Sequence, residues 1–356
     1  MDNSFVPQNV PGCTLVSVKP GEEEKKAIKK KYFTAGLIIL ADLFVFQFAS
    51  RAVLTLIGLF SGRSVAEASN AGVEIIKSNE IIYVLFSSGF PIIAEIITII
   101  LAVRFMGLDL KKHFTLKGFN TKDIAGGFAA AMFCQTVAAF ILVIIMMLFF
   151  KAENIQDVSV SMNKSLAANV IMYFYVCILG PVLEEIVFRG IVLESMREYN
   201  ERFAIVFSAL IFGLMHGNFP QAINAAAVGL VLGALYVRSD SLFPSSVIHI
   251  LMNSIMSLLQ VMMYGNPDIA KDILNGNMDG LGGITAVGLA ISGMIRVVSL
   301  PAGIAVLVVT GLKGFGLQKA TPAGKSRSYP LVLTSPVWIV VVLLYFAICL
   351  YNSGLF

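Results

Sequence analysis

Residues 124–150 read IAGGFAAAMFCQTVAAFILVIIMMLFF, a run without one charged side chain. About twenty apolar residues in a helix cross the roughly 30 Å of hydrocarbon in a bilayer, so this stretch reads as a membrane-spanning helix. Its surroundings agree. Of 356 residues, 57% are hydrophobic and 13% charged, and the mean hydropathy is +0.83, against about 25% charged residues in soluble domains. Too little polar surface remains to cover a water-soluble core. Soluble, disordered, fibrous and nucleic-acid-binding classes are excluded together.

On the same ruler nine apolar segments appear, at 33–60, 80–103, 124–150, 166–188, 203–216, 221–237, 243–264, 284–312 and 331–351. The expected fold is all-α, a polytopic helical membrane bundle of eight or nine transmembrane segments. It divides into a basic tail (1–31), N-terminal helices (32–164), a core (165–265) and C-terminal helices (266–356). The tail ends in Lys25, Lys26, Lys29, Lys30 and Lys31 and lacks the short apolar core of a signal peptide. Residues 265–283 and 313–330 read as connectors. Cys134, Cys177 and Cys349 sit in apolar runs, so no disulfide framework is expected.

Lys and Arg collect in cytoplasmic loops. With the N-terminus inside, the tail, the loops at 104–123, 189–202 and 313–330, and Arg238 hold nineteen of the twenty-six Lys and Arg. The other side holds Arg63, Lys77, Lys151, Lys164 and Lys271, while Arg51 and Arg296 lie within spans.

Ionisable groups in hydrocarbon are costly and so are functional candidates by default. Asp42, Arg51, Glu95, Arg104 and Arg296 occur singly, and pairing in the bundle or snorkelling accounts for them. Residues 180–253 differ, because their polar groups come in sets with helical spacing. In GPVLEEIVFRG (180–190), Glu185 and Arg189 are four apart in the favourable order for an ion pair. Glu184, about 100° away around the helix, is expected to have other neighbours. It either pairs with a cation on another helix or is a general base made effective by burial. Pro181 removes the hydrogen bond to the Cys177 carbonyl.

Phe212 and His216 share a helix face ahead of the Gly217-Asn218-Phe219-Pro220 turn, and His249 and Asn253 share another. The third histidine, His113, lies in a basic loop. Glu184 and His249 stand about five and six residues from the inner ends of their spans, a common depth of roughly 7–9 Å.

Together these sets, EExxxR, FxxxH and HxxxN over about 165–265, resemble the intramembrane proteases of the CAAX-prenyl-protease and bacteriocin-processing family. The resemblance implies a polar cavity open to the cytoplasm and peptide-bond hydrolysis on a membrane-associated, hydrophobic or lipid-modified peptide or protein. Glu184 would activate water, His216 and His249 would polarise the scissile carbonyl or hold a metal, and Asn253 would help hold the oxyanion. Glu185 and Arg189 would be the supporting pair and Phe212 cavity wall. Either Glu184 acts without metal, or His216, His249 and a glutamate hold a divalent ion such as Zn²⁺ with water in an open position; the metal-free route is favoured. HExxH, GxSG and GxGD are absent. A transporter using the same polar groups, or a non-catalytic scaffold or immunity protein, are the rival readings. Membrane lipids are the expected surroundings, and no nucleic-acid partner is expected.

In intact cells, Lys117→Cys and Gly324→Cys variants should resist a membrane-impermeant thiol reagent. Ready labelling of either overturns this topology.

Overall fold

The structure, a computed structural model, describes residues 22–149, 165–197, 200–262, 283–312 and 335–352. The expected connectors at 265–283 and 313–330 and most of the tail lie outside the described residues. Helices account for nearly all of the rest, and no strand occurs among the described residues.

Helix α1 (Glu22–Leu43) continues through a π-helical turn, Phe44–Ala49, into α2 (Ser50–Phe60). Then come α3 (Val65–Lys77), α4 (Glu80–Met106), α5 (Leu110–His113) and α6 (Thr121–Phe149). A long composite helix is next: α7 (Leu166–Phe174), a π-helical segment Tyr175–Leu179, α8 (Gly180–Glu185), a second π-helical segment Ile186–Leu193, and α9 (Glu194–Arg197). The last five are α10 (Glu201–Met215), α11 (Phe219–Ser239), α12 (Leu242–Met262), α13 (Gly283–Leu312) and α14 (Pro336–Asn352).

Among the described residues, six helices are long and apolar enough to cross a membrane: Lys26–Phe60, Glu80–Met106, Thr121–Ile145, Leu166–Arg197, Phe219–Ser239 and Gly293–Gly311. Leu242–Ser257 and Pro336–Asn352 are shorter apolar helices. Each of the nine expected apolar segments coincides with a helix over its described residues. The fold is an all-α polytopic membrane bundle. Large hydrophobics such as Phe140, Val297 and Leu343 are exposed on its outside, as a surface facing lipid tails requires.

Two expectations change. The stretch at 189–202 is not simply a loop, because the composite helix runs on to Arg197 and buries Arg189 completely. Its apolar inner turns, Gly190-Ile191-Val192-Leu193, continue the span past the first basic residue, so Glu184 lies deeper in its helix than five residues. The chain between the first two spans also forms a helix, α3, which folds back on α2. Gly58 makes this return possible: a Cβ there would stand 1.9 Å from the Ala68 carbonyl oxygen.

The main core joins helices far apart in sequence. Tyr32 and Ile39 of α1, Phe188, Phe207 and Phe212 near the site, and Trp338 and Tyr345 of α14 pack in one cluster. Trp338 donates its indole N–H to the Tyr32 carbonyl at 3.0 Å and meets Phe207 edge-on. An apolar groove of about 470 Å³ lies between α6, α10 and α11, lined by Cys134, Val137, Leu210 and Ala226 among others. None of the motif residues lines it.

At the end of the bundle bearing α5 and the α11–α12 turn, polar groups join the elements. The Tyr236 hydroxyl donates to Glu194 Oε2 at 2.9 Å and lies 2.9 Å from His113 Nδ1, which must then be the N–H that donates to it. His113 is buried rather than a loop bystander, and that burial lowers its pKa from the ordinary histidine value. Arg238 pairs with Asp123 at 2.9 Å and Arg197 with Asp240 at 2.7 Å.

Overfilling a tight contact costs about 1–3 kcal/mol. Gly58→Val should lower thermal stability in detergent by such an amount, and an unchanged melting temperature counts against the α2–α3 contact.

Candidate active site

The π-helical turn before α8 fixes where the two glutamates point. In a π segment each N–H reaches back five residues, inserting an extra residue into the helix and rotating the downstream residues by about 100° relative to an uninterrupted α-helix. Here the Gly180 N–H donates to the Tyr175 carbonyl, and Glu184 and Glu185 come within the next turn and a half. Both are turned toward α12.

His249 of α12 lies between them. Its Nδ1 is 3.1 Å from Glu185 Oε1 and its Nε2 is 3.5 Å from Glu184 Oε2. The sequence-based expectation that neighbouring carboxylates have different partners is therefore corrected. The imidazole presents its two nitrogens on opposite edges, so one ring bridges side chains about 100° apart.

Glu185 and Arg189 form the expected ion pair at 3.0 Å, and both side chains are 0% exposed. Arg189 also donates to the Gly229 carbonyl at 3.3 Å, and its guanidinium lies 4.6 Å from the centre of the Phe212 ring. Glu184 is less deeply buried, at 15% exposure, and its Oε2 is hydrogen-bonded to none of the described residues.

His216 ends α10, and its Nδ1 lies 2.9 Å from the Phe212 carbonyl. A carbonyl only accepts, so Nδ1 carries the proton and Nε2 is left as the acceptor in the neutral ring. Gly217 is next, with φ +70, a left-handed conformation suited to glycine. Asn352 of α14 donates to its carbonyl at 2.9 Å, and Asn218 caps α11 through the Gln221 N–H. The Phe212 ring is edge-on to His216 (centroids 5.2 Å apart) and to His249 (5.5 Å). One ring thus contacts both imidazoles.

Asn253 is one turn beyond His249, and its Nδ2 donates to the Val176 carbonyl at 2.9 Å. The structure thus gathers Glu184, Glu185, Arg189, Phe212 and His249 in direct contact. His216 joins through Phe212, and Asn253 through the helix that carries the glutamates.

Two acids outside this set, single charges within their spans, also bear on the site. Asp42 of α1 and Glu95 of α4 are both buried, and each interacts electrostatically with Glu184. Thr98 donates to Asp42 Oδ1 at 2.9 Å. Their signal in the sequence is position alone: an acid in the middle of an apolar span with no basic residue one turn away.

A metal reading requires three converging ligands. Among the described residues no three His, Cys, Asp or Glu side chains are grouped so as to hold a metal ion.

Comparison with known proteins places the same region. Residues 166–255 match the family described as type II CAAX prenyl endopeptidase Rce1-like, so the family resemblance carried by the three motifs holds over this segment. The chain is 29% identical over 136 residues to a provisionally named membrane peptidase, YdiL, of Bacillus subtilis (strain 168), covering 38% of this chain and 54% of that protein. It is 31% identical over 108 residues to the membrane-embedded CAAX protease MroQ of Staphylococcus aureus (strain USA300), covering 28% of this chain and 42% of that one. The chain thus spans about half the length of these relatives. No solved structure matches.

Removing one partner of a fully buried pair costs about 3–5 kcal/mol, because the other charge is left uncompensated. Glu185→Gln should lower thermal stability by that order and Glu184→Gln by far less. Equal losses in the two variants would contradict the division between supporting and reacting carboxylate.

Proposed function

We propose that this protein is an intramembrane endopeptidase, hydrolysing a peptide bond of a membrane-associated peptide or protein, with Glu184 as the base that activates water. The observation that carries this reading is the Glu184–His249–Glu185 array. One carboxylate is neutralised by a buried arginine, and the other has a buried oxygen with no hydrogen bond and an imidazole nitrogen 3.5 Å away. General base catalysis needs such an oxygen within hydrogen-bond reach of the water it deprotonates, and these contacts are commonly long before substrate binds.

His249 is oriented by its bond to Glu185, which leaves its Nε2 3.5 Å from Glu184; with both nitrogens protonated it would present an N–H to the carbonyl under attack. His216 would join the carbonyl-polarising set once its Nε2 is protonated, since in the neutral ring that nitrogen only accepts. Glu185 and Arg189 hold His249 and Phe212 in place. The match over 166–255 and the membrane-peptidase names of the two relatives support hydrolysis of this kind; CAAX-type proteins, or bacteriocin and leader peptides, are the proposed substrates. On this reading the site faces the cytoplasm and the N-terminus is cytoplasmic, in keeping with the distribution of basic residues.

Glu184→Gln keeps shape and hydrogen-bonding capacity and removes the basic oxygen. Peptide hydrolysis by the purified protein should fall by about 10²–10⁴-fold while the melting temperature is retained. Undiminished turnover in this variant refutes the assignment.

A further inference from the structure

We infer that Asn253 positions Glu184 through the Val176 carbonyl at the π-helical turn, a duty separate from any contact with the oxyanion. The inference rests on the proposed role of Glu184 as base. It begins with the hydrogen-bond register of the composite helix. Across Tyr175–Leu179 the register is i to i+5, and the Gly180 N–H is taken by the Tyr175 carbonyl. The next carbonyl, that of Val176, should then receive the N–H of residue 181. Residue 181 is Pro181 and has none. The carbonyl orphaned by the proline is thus that of Val176 and not, as an α-helical register would have it, that of Cys177.

An unsatisfied backbone carbonyl in a membrane helix costs several kcal/mol unless another group reaches it. The Asn253 side chain does so, its Nδ2 donating to the Val176 carbonyl oxygen at 2.9 Å. His249, four residues earlier on the same face of α12, holds Glu184 and Glu185. So α12 grips the composite helix at two points one turn apart: the side chains that react, and the backbone bulge that aims them. A π-helical turn is a strained, one-residue insertion that reverts to α geometry if its orphan groups are not held. Reversion would rotate Glu184 and Glu185 away from His249. Pro181 creates the need and Asn253 meets it.

This gives a test that an oxyanion donor cannot imitate. Pro181→Ala restores a backbone N–H at the missing position, so it should rescue a chain lacking the Asn253 amide. Peptide hydrolysis by the purified full-length protein in detergent is measured for wild type, Asn253→Ala, Pro181→Ala and the double variant. Amide hydrogen exchange over residues 175–185 is measured in parallel.

Asn253→Ala should lower kcat on the order of 10²-fold with little change in KM, as misplacement of a reacting group by about 1 Å does, and should speed exchange in 175–185. The double variant should recover on the order of tenfold in kcat and regain slow exchange. A double variant no more active than Asn253→Ala, with Pro181→Ala itself near the wild-type rate, overturns the inference. Should Pro181→Ala be impaired alone, the exchange result decides: unchanged exchange in Asn253→Ala overturns it and faster exchange sustains it. Absence of hydrolysis by the wild-type protein refutes the protease reading separately, since exchange still reports whether Asn253 holds the turn.

Discussion

A charge buried in hydrocarbon must be neutralised where it lies, and the Glu185–Arg189 pair is where this chain meets that constraint most strictly. Neither side chain has any exposed surface, so neither can borrow water. The direct contacts of the site arise from satisfying them. Arg189 uses its Nη2 on the Gly229 carbonyl and its planar face on the Phe212 ring, drawing α10 and α11 against the composite helix. Glu185 uses its oxygen on His249, drawing in α12. Buried ion pairs contribute little net stability, since desolvation offsets their attraction. Their effect here is on arrangement: alternative packings of these four helices would leave a naked charge in an apolar interior.

The reacting carboxylate lies one residue away from the one that holds the structure together. Adjacent residues on a helix cannot separate by more than a few ångströms, so Glu184 is delivered to the edge of a rigid polar cluster without being consumed by it. The single turn between His249 and Asn253 repeats the logic, one residue serving the side chains and the other the backbone.

How much of this was legible in the sequence depended on the physical signal. Apolar length marked the helices that span, because burial in lipid requires it of each residue in a run. The four-residue spacings found Glu185 with Arg189, Phe212 with His216, and His249 with Asn253, because side chains on one helix face are near neighbours whatever the tertiary fold. What periodicity does not carry is hydrogen-bond register. The π-helical segments at 175–179 and 186–193 read as ordinary α-helix, and with them went the shared contact of Glu184 and Glu185 on one imidazole. Asp42 and Glu95 were read as single structural charges for a related reason: their relation to Glu184 spans three helices and leaves no local pattern. Helix α3, with mixed composition and Gly72 and Gly58 at its contacts, reads as a loop until the packing against α2 is known.

The bond from Asn352 to the Gly217 carbonyl joins positions 135 residues apart in the chain. During synthesis α10 and its terminal turn emerge long before α14. Until α14 is inserted, the backbone beside His216 lacks its last tether, and Trp338 has not yet closed over Tyr32 and Phe207. The turn beside His216 is thereby completed only once α14 is in place. For a chain whose interior is proposed to cut peptide bonds, the backbone next to one proposed polarising imidazole is therefore fixed by the last of the described helices to be made.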